Sequence, residues 1–339
     1  MERSLEKSDR VRGLDSIRFI CAFVVFMGHG GAPRLFGDVS GFREVVSNLY
    51  TSLWAGPAAV IVFFVISGFC IHYPFADSAQ SINLPSFYAR RFLRILIPMA
   101  VIIPIAEMRG LPFSKFNLSI LWSLVAEMVY YLIYPALRKI HGAGWGKAIA
   151  IAYVAAAIMV VTTHPEAMKY NSFQSFNWLL GLPCWLLGCW LADRVKNRSL
   201  PQVTSRVIWQ WRVAVVVAAV ATHYLFLRSL VGFPWTLNLF ALLATAWLMR
   251  EIAYGRTNPP LRMVESAGLW SYSLYLVHEV ISDLFGFTSI RNPIAQLLVA
   301  DVLTLVACYA FYLVVERPSH HVARSVARDV TAATESVRF

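Results

Sequence analysis

Charge is scarce in this chain. Of its 339 residues only 14% are charged, and 19 acidic residues stand against 30 lysines and arginines. With 58% hydrophobic residues and a mean hydropathy of +0.58, the chain has too little polar surface to clothe a soluble domain of its size. A water-soluble enzyme or scaffold is thereby excluded. Cysteine is sparse as well: Cys21, Cys70, Cys184, Cys189 and Cys308 all fall in apolar runs, and none forms a C-x-x-C pair. Buried free thiols are expected, with neither disulfides nor a metal site. G-x-S-x-G, Walker A, H-E-x-x-H and G-x-G-x-x-G are absent, which removes most support for a hydrolase, a nucleotide-driven pump or a zinc protease. Internal repeats, low-complexity tracts and long linkers are also missing. One membrane domain, residues 14–318, is expected, with a cytoplasmic segment 1–13 before it and a tail 319–339 after it, the tail being a short surface helix or disordered.

What fills the chain is apolar runs. A hydrocarbon core of about 30 Å takes roughly 20 mostly apolar residues per helix. Runs of that order occur at 14–31, 54–75, 92–106, 118–137, 147–163, 176–192, 212–230, 235–253, 268–286 and 293–315. The predicted fold is an all-α polytopic membrane bundle of about ten helices. If all ten span and the N-terminus is cytoplasmic, most of the 30 basic residues fall in cytoplasmic pieces, loop after loop. The net charge of +11 therefore reads as a topology signal that places both termini in the cytoplasm, and no nucleic-acid partner is expected. The first run is expected to stay as a helix and not to be cleaved as a leader, because Arg18 and His29 interrupt it and no clear small-x-small site follows.

Those two residues are costly in a membrane helix and need a reason to be there. The eleven-residue step between them is almost three whole turns, about 16 Å along one face. Asp15, on the same face, is spaced to pair with Arg18. The structural alternative has Arg18 snorkelling to one interface and His29 resting at the other.

Glu127 stands near the middle of the fourth run, with Ser123 one turn before it and Tyr130, Tyr131 and Tyr134 after it. A carboxyl there must face the bundle interior and have a partner, either tying helices together or serving chemistry. Tyr134 and Trp122 read as interface anchors, and His72 as an interfacial residue. Arg90, Arg91 and Arg94 cluster at the predicted start of the third helix. Guanidinium forks and free N–H groups at such a place suit phosphates, with anionic lipid headgroups an equal alternative. The ninth run holds His278, Glu279 and Asp283. The spacing of His278 and Asp283 matches the H-x4-D pair of glycerolipid acyltransferases, but none of that family's companion motifs is present. His223 and Asp301 show no usable pattern.

Taken together these stretches resemble the acyltransferase-3 family of multi-pass membrane O-acyltransferases. The resemblance rests on an ordered series: Arg18-x10-His29, FFVISGF at 63–69, ARRFLRILIP at 89–98, LWSLVAEMVYYLIYP at 121–135, SYSLYLVH at 271–278 and VERP at 315–318. It implies transfer of an acyl group, by default acetyl, from cytoplasmic acyl-CoA to a hydroxyl of a glycan or lipid-linked saccharide, in a bacterial inner membrane. Carried over by position, His29 and Arg18 become the catalytic pair, Arg91 and Arg94 the donor-side arginines, and Glu127 a polar member of the central cavity. From the residues themselves, Arg90 joins Arg91 and Arg94 as a candidate for donor binding, and Ser123, Tyr131 and His278 are candidates for the substrate cavity. His29 would act as general base or as transient acyl carrier.

Larger relatives append an extracytoplasmic hydrolase-like domain, which this chain is expected to lack. Three departures stand out: the short stretch from Pro98 to Trp122, Met128 where relatives often have a polar residue, and the Gly30-Gly31 pair after His29. A competing function is a proton-coupled transporter or flippase using Glu127, His29 and His278 as a relay.

Overall fold

The structure, a computed structural model, describes residues 11–30, 42–76, 81–140, 144–197, 200–285 and 292–336. Residues 1–10, Gly31 and the side chain of Asp283 lie outside that description. Among the described residues there is no β-strand, and every expected apolar run lies on a helix. The helices are α1 (Leu14–Gly30), α2 (Phe42–Leu53), α3 (Gly56–His72), α4 (Leu84–Met108), α5 (Phe113–Ile140), α6 (Gly146–Thr163), α7 (Asn177–Asn197), α8 (Ser205–Leu227), α9 (Phe233–Thr257), α10 (Arg262–Ala267), α11 (Ser271–Phe285), α12 (Pro293–Phe311) and α13 (Arg317–Ser336). Among the described residues seven helical stretches are long and apolar enough to cross a membrane. The expected runs at 14–31, 92–106 and 268–286 correspond to α1, α4 and α11, which fall short of that criterion in length or carry more charge.

Helix α3 is the centre of the bundle. Its sequence, GPAAVIVFFVISGFCIH, is apolar on all sides, and 14 of its 17 residues are buried. Helix α8 is also apolar enough to cross a membrane, yet only 11% of its most apolar stretch is buried inside the bundle, which leaves its side chains on the outside. Hydropathy alone does not separate the two environments, because hydrocarbon solvates an apolar residue about as well as a core does. What separates them is small residues. A Cβ on Gly68 of α3 would lie 1.9 Å from the Trp185 carbonyl oxygen, and one on Gly188 of α7 would lie 2.0 Å from that of Val65. The two backbones therefore touch, and α7 becomes the second core helix. Helix α1 packs against both α3 and α11, and α11 reaches α3 through the ring contact of Tyr275 with Phe63.

Two carboxylates fix the helix starts around the site. Glu265 accepts from the backbone N–H groups of Gly13 and Ser16, each at 3.0 Å, satisfying donors that the first turn of α1 cannot pair internally. Gly13 reaches this cap at φ +91°, a conformation open to glycine. Glu316, fully buried, accepts from the backbone N–H of Ser273 at 3.0 Å and from its hydroxyl, which holds the start of α11.

Several expectations are corrected. Helix α4 begins at Leu84, capped by Asn83, whose Oδ1 accepts from the Ser86 N–H, and Pro85 suits the first turn. Arg90, Arg91 and Arg94 thus sit in the second and third turns, away from the free N–H groups of the helix start. Within the stretch from Pro98 to Trp122, α4 continues to Met108 and α5 starts at Phe113, so the connection between the two helices is short. The apolar runs 176–192 and 212–230 would leave about twenty residues between helices, but the connection is much shorter, since α7 runs to Asn197 and α8 starts at Ser205. The tail is helical as α13, follows α12 through a π-helical turn at Tyr312–Glu316 and packs along α4. Tyr134 is fully buried, and His72 is 1% exposed. His72 Nδ1 lies 2.9 Å from the Tyr134 hydroxyl and its Nε2 lies 2.7 Å from Asp193 Oδ1. Both are core residues, because a hydrogen-bonded pair of polar tips can be buried where a single one cannot.

Candidate active site

Three cavities run through the bundle in series. The first, about 300 Å³, is lined by Arg18, Cys70, Arg91, Arg94, Tyr131 and His320 among others, and Asp15 joins its wall 3.6 Å from Arg18. The second, about 70 Å³, shares Arg18, Ser67, Glu127 and Tyr272 with the first. The third, about 240 Å³, shares Val60 and Tyr275 with the second and holds His29, Ser119, Trp122 and His223. Arg18 and His29 thus look into the same interior path from its two ends, as their spacing on one face of α1 requires. Ser123 Oγ and the Tyr275 hydroxyl, both in the wall of the second cavity, lie 2.6 Å apart.

Glu127 has the partner that its position demanded. It accepts hydrogen bonds from Ser67 Oγ and the Tyr131 hydroxyl. Trp185 Nε1–H donates to Ser67 Oγ at 3.2 Å, so α3, α5 and α7 meet at one polar knot. Hydroxyl donors suit an ionised carboxylate, and Arg18 and Arg91 share its cavity as counter-charges. Arg91 and Arg94 line the first cavity, whereas Arg90 is exposed on another face of α4. Two guanidinium groups with Arg18 and His320 beside them form a pocket suited to a phosphorylated ligand. Among the described residues no group of three or more His, Cys, Asp or Glu side chains could hold a metal ion.

At the other end, hydrogen-bond geometry fixes the chemistry of His29. Its Nδ1 lies 2.9 Å from the Val25 carbonyl oxygen, one turn back along α1. A carbonyl only accepts, so Nδ1 carries a hydrogen, and in the neutral ring Nε2 keeps a lone pair. That lone pair faces the third cavity, with Ser119 Oγ 3.5 Å away on the π-helical turn Asn117–Leu121. In that form the ring presents an acceptor to whatever enters there. His278 is fully buried behind His29 and is not among the residues lining these three cavities. Ser123 and Tyr131 line the second and first cavities respectively.

Sequence reasoning passed over Tyr272, Tyr275, Ser119 and His320. Tyr275 was within reach: Ser271, Tyr275 and His278 recur at helical spacing in the SYSLYLVH stretch, so one face of α11 was marked as polar. Ser119 and His320 come to the path through the π-helical turn and the packing of α13, which no local pattern announces.

The profile of the family described as Acyltransferase domain, acyltransferase-3, matches residues 11–313. Among curated proteins the chain is similar to the Acyltransferase MdmB of Streptomyces mycarofaciens. The two are 24% identical over 314 residues, covering 80% of this chain and 79% of that protein. It is also similar to Nodulation protein 10 of Rhizobium leguminosarum bv. viciae, 22% identical over 318 residues, covering 79% of this chain and 83% of that protein. No solved structure matches. A profile match across nearly the whole length of an all-α membrane bundle is decisive: the chain belongs to the acyltransferase-3 family and is an acyltransferase that moves groups other than aminoacyl groups.

Proposed function

We propose that the protein transfers an acyl group, acetyl by default, from cytoplasmic acyl-CoA to a hydroxyl of a glycan or lipid-linked saccharide that approaches from the other side of the membrane. The observation that carries this reading is the lone pair of His29 Nε2 at the far end of a path that begins among Arg18, Arg91 and Arg94. The arginines hold the donor phosphates, and the pantetheine arm runs through the second cavity. Arg18 and His29 are about 16 Å apart along α1. Three extended backbone bonds span about 3.6 Å, so an arm of some fifteen bonds reaches roughly 18 Å, enough to bring the thioester to His29.

His29 Nε2 takes the proton of the acceptor hydroxyl as its oxygen attacks the thioester carbonyl carbon. The carbon–sulfur bond breaks, and the imidazolium returns the proton to the leaving thiolate. Glu127 opposes the positive charge of Arg18 and Arg91 along the way, and Arg18 acts on the donor without touching the reacting atoms. Family membership favours acyl transfer over the proton-coupled transporter that the same polar residues first allowed. A bacterial inner membrane is the compartment in which both substrates meet such a protein.

The test is consumption of radiolabelled acetyl-CoA by purified protein with a saccharide acceptor. His29→Ala should abolish transfer while the fold and acetyl-CoA binding persist. Undiminished turnover in that variant would remove His29 from the chemistry.

A further inference from the structure

Behind His29 stands a second imidazole that the proposed reaction does not use. His278 Nε2 lies 3.2 Å from His29 Nδ1, and the ring centroids are 5.1 Å apart. His278 Nδ1 lies 2.8 Å from the carbonyl oxygen of Leu274 in its own helix. That carbonyl can only accept, so His278 carries its hydrogen on Nδ1 and its Nε2 is a bare acceptor. It points at the nitrogen of His29 that carries a hydrogen. The His29 Nδ1–H is therefore shared between the Val25 carbonyl and His278 Nε2, while the opposite nitrogen of His29 faces the cavity.

The structure assigns to His278 the role of positioning residue for His29: a neutral imidazole that orients the base and accepts from its Nδ1–H as the ring becomes charged. This rests on the reading of His29 as the base. In water-exposed enzymes a carboxylate commonly fills this place, holding the tautomer and stabilising the imidazolium. Within a bilayer a carboxylate behind the base would be a second buried charge to compensate, a cost that a neutral imidazole avoids. Full burial of His278 and the edge of Phe26, whose ring centroid is 5.9 Å from its own, keep water from substituting for it. Helix α11 is held in register for this contact by Glu316 on Ser273, five residues upstream. Among the described residues the titratable groups around the pair are Tyr275 and Glu279 on α11, with Lys169, Tyr170 and His223 across the cavity. None of them is hydrogen-bonded to either ring among the described contacts.

Proton gain at His29 Nε2 strengthens the bonds made by Nδ1–H, because the donor becomes charged. Loss of one acceptor then raises the barrier and makes the imidazolium harder to form. The test is full-chain enzyme with His278→Phe, which fills the space without an acceptor, and His278→Gln, which returns an acceptor near the old Nε2. His278→Phe should lower kcat roughly 10- to 100-fold with the KM for acetyl-CoA unchanged. It should also move the acid limb of the pH–rate profile to lower pH, since a less stable imidazolium holds its proton less firmly. His278→Gln should recover most of the rate and restore the limb. A structural role alone would lower folded yield and leave the limb of the surviving enzyme where it was. His278→Leu gives the same comparison should His278→Phe fail to fold. Unchanged kcat and an unmoved limb in either apolar variant, with His29→Ala inactive, would overturn the assignment of His278 and leave the base in place. An active His29→Ala would instead remove the base itself.

Discussion

Gly188→Ala isolates the physical basis of the core from every question of chemistry. By helix propensity alone the change should help, by up to about 1 kcal/mol, because alanine is the better helix former. The structure makes it costly. The new Cβ would stand 2.0 Å from the Val65 carbonyl oxygen and 2.7 Å from the Phe69 nitrogen, both backbone atoms of α3. Ordinary contact begins near 3.4 Å. No rotamer relieves an overlap of this size with backbone, so α3 and α7 must part by an ångström or more. Overpacking of this kind costs about 1–3 kcal/mol, which outweighs the propensity gain.

The widened gap also stretches the 3.2 Å bond from Trp185 on α7 to Ser67 on α3, which in turn donates to Glu127. Acyl transfer should therefore fall along with the melting temperature, which should drop by several degrees in detergent. Gly146→Ala at the exposed start of α6, with nothing within 4 Å of the added carbon, should be neutral or slightly stabilising. Equal melting temperatures for the two variants would refute the close crossing of α3 and α7.

Further outcomes follow from the polar groups. Arg91→Ala with Arg94→Ala should weaken acetyl-CoA binding at least 10-fold by calorimetry, and an unaltered Kd would return those arginines to contact with lipid headgroups. Glu127→Gln keeps acceptors for Ser67 and Tyr131 but removes the charge opposing Arg18 and Arg91, so acetyl transfer should fall about 10-fold or more in folded enzyme; an unchanged rate would make Glu127 a tie between helices only. Glu265→Ala unpairs the first donors of α1 and should cost about 1–2 kcal/mol in thermal unfolding, as other lost helix caps do, with an unshifted melting curve counting against the cap.

Much of this architecture is written in local sequence. Apolar length located the helices, and the helical period set Arg18 and His29 on one face, because both signals depend only on residues near in the chain. Glu127 announced a buried partner by its cost. What stayed hidden depends on which helices meet. Nothing in the order of apolar residues shows that α3 is central and α8 peripheral, since lipid and protein interior accept the same side chains. The burial of His72 and Tyr134 was missed for a related reason: each looks interfacial alone, and only the approach of Asp193 and of each other makes burial affordable in hydrogen bonds. Arg90 parts from Arg91 and Arg94 because α4 starts earlier than its apolar run, capped by Asn83. His278 belongs behind His29 through the packing of α11 on α1, a contact between residues 249 positions apart.

The central claim is that acyl groups cross the bundle from the arginine end to His29. It is tested most directly in proteoliposomes with the protein in one orientation, radiolabelled acetyl-CoA supplied to one face and the acceptor saccharide to the other. Labelled acceptor should form only when the donor meets the face bearing Arg91 and Arg94 and the acceptor meets the opposite one. Transfer that requires both substrates on the same side would contradict the account.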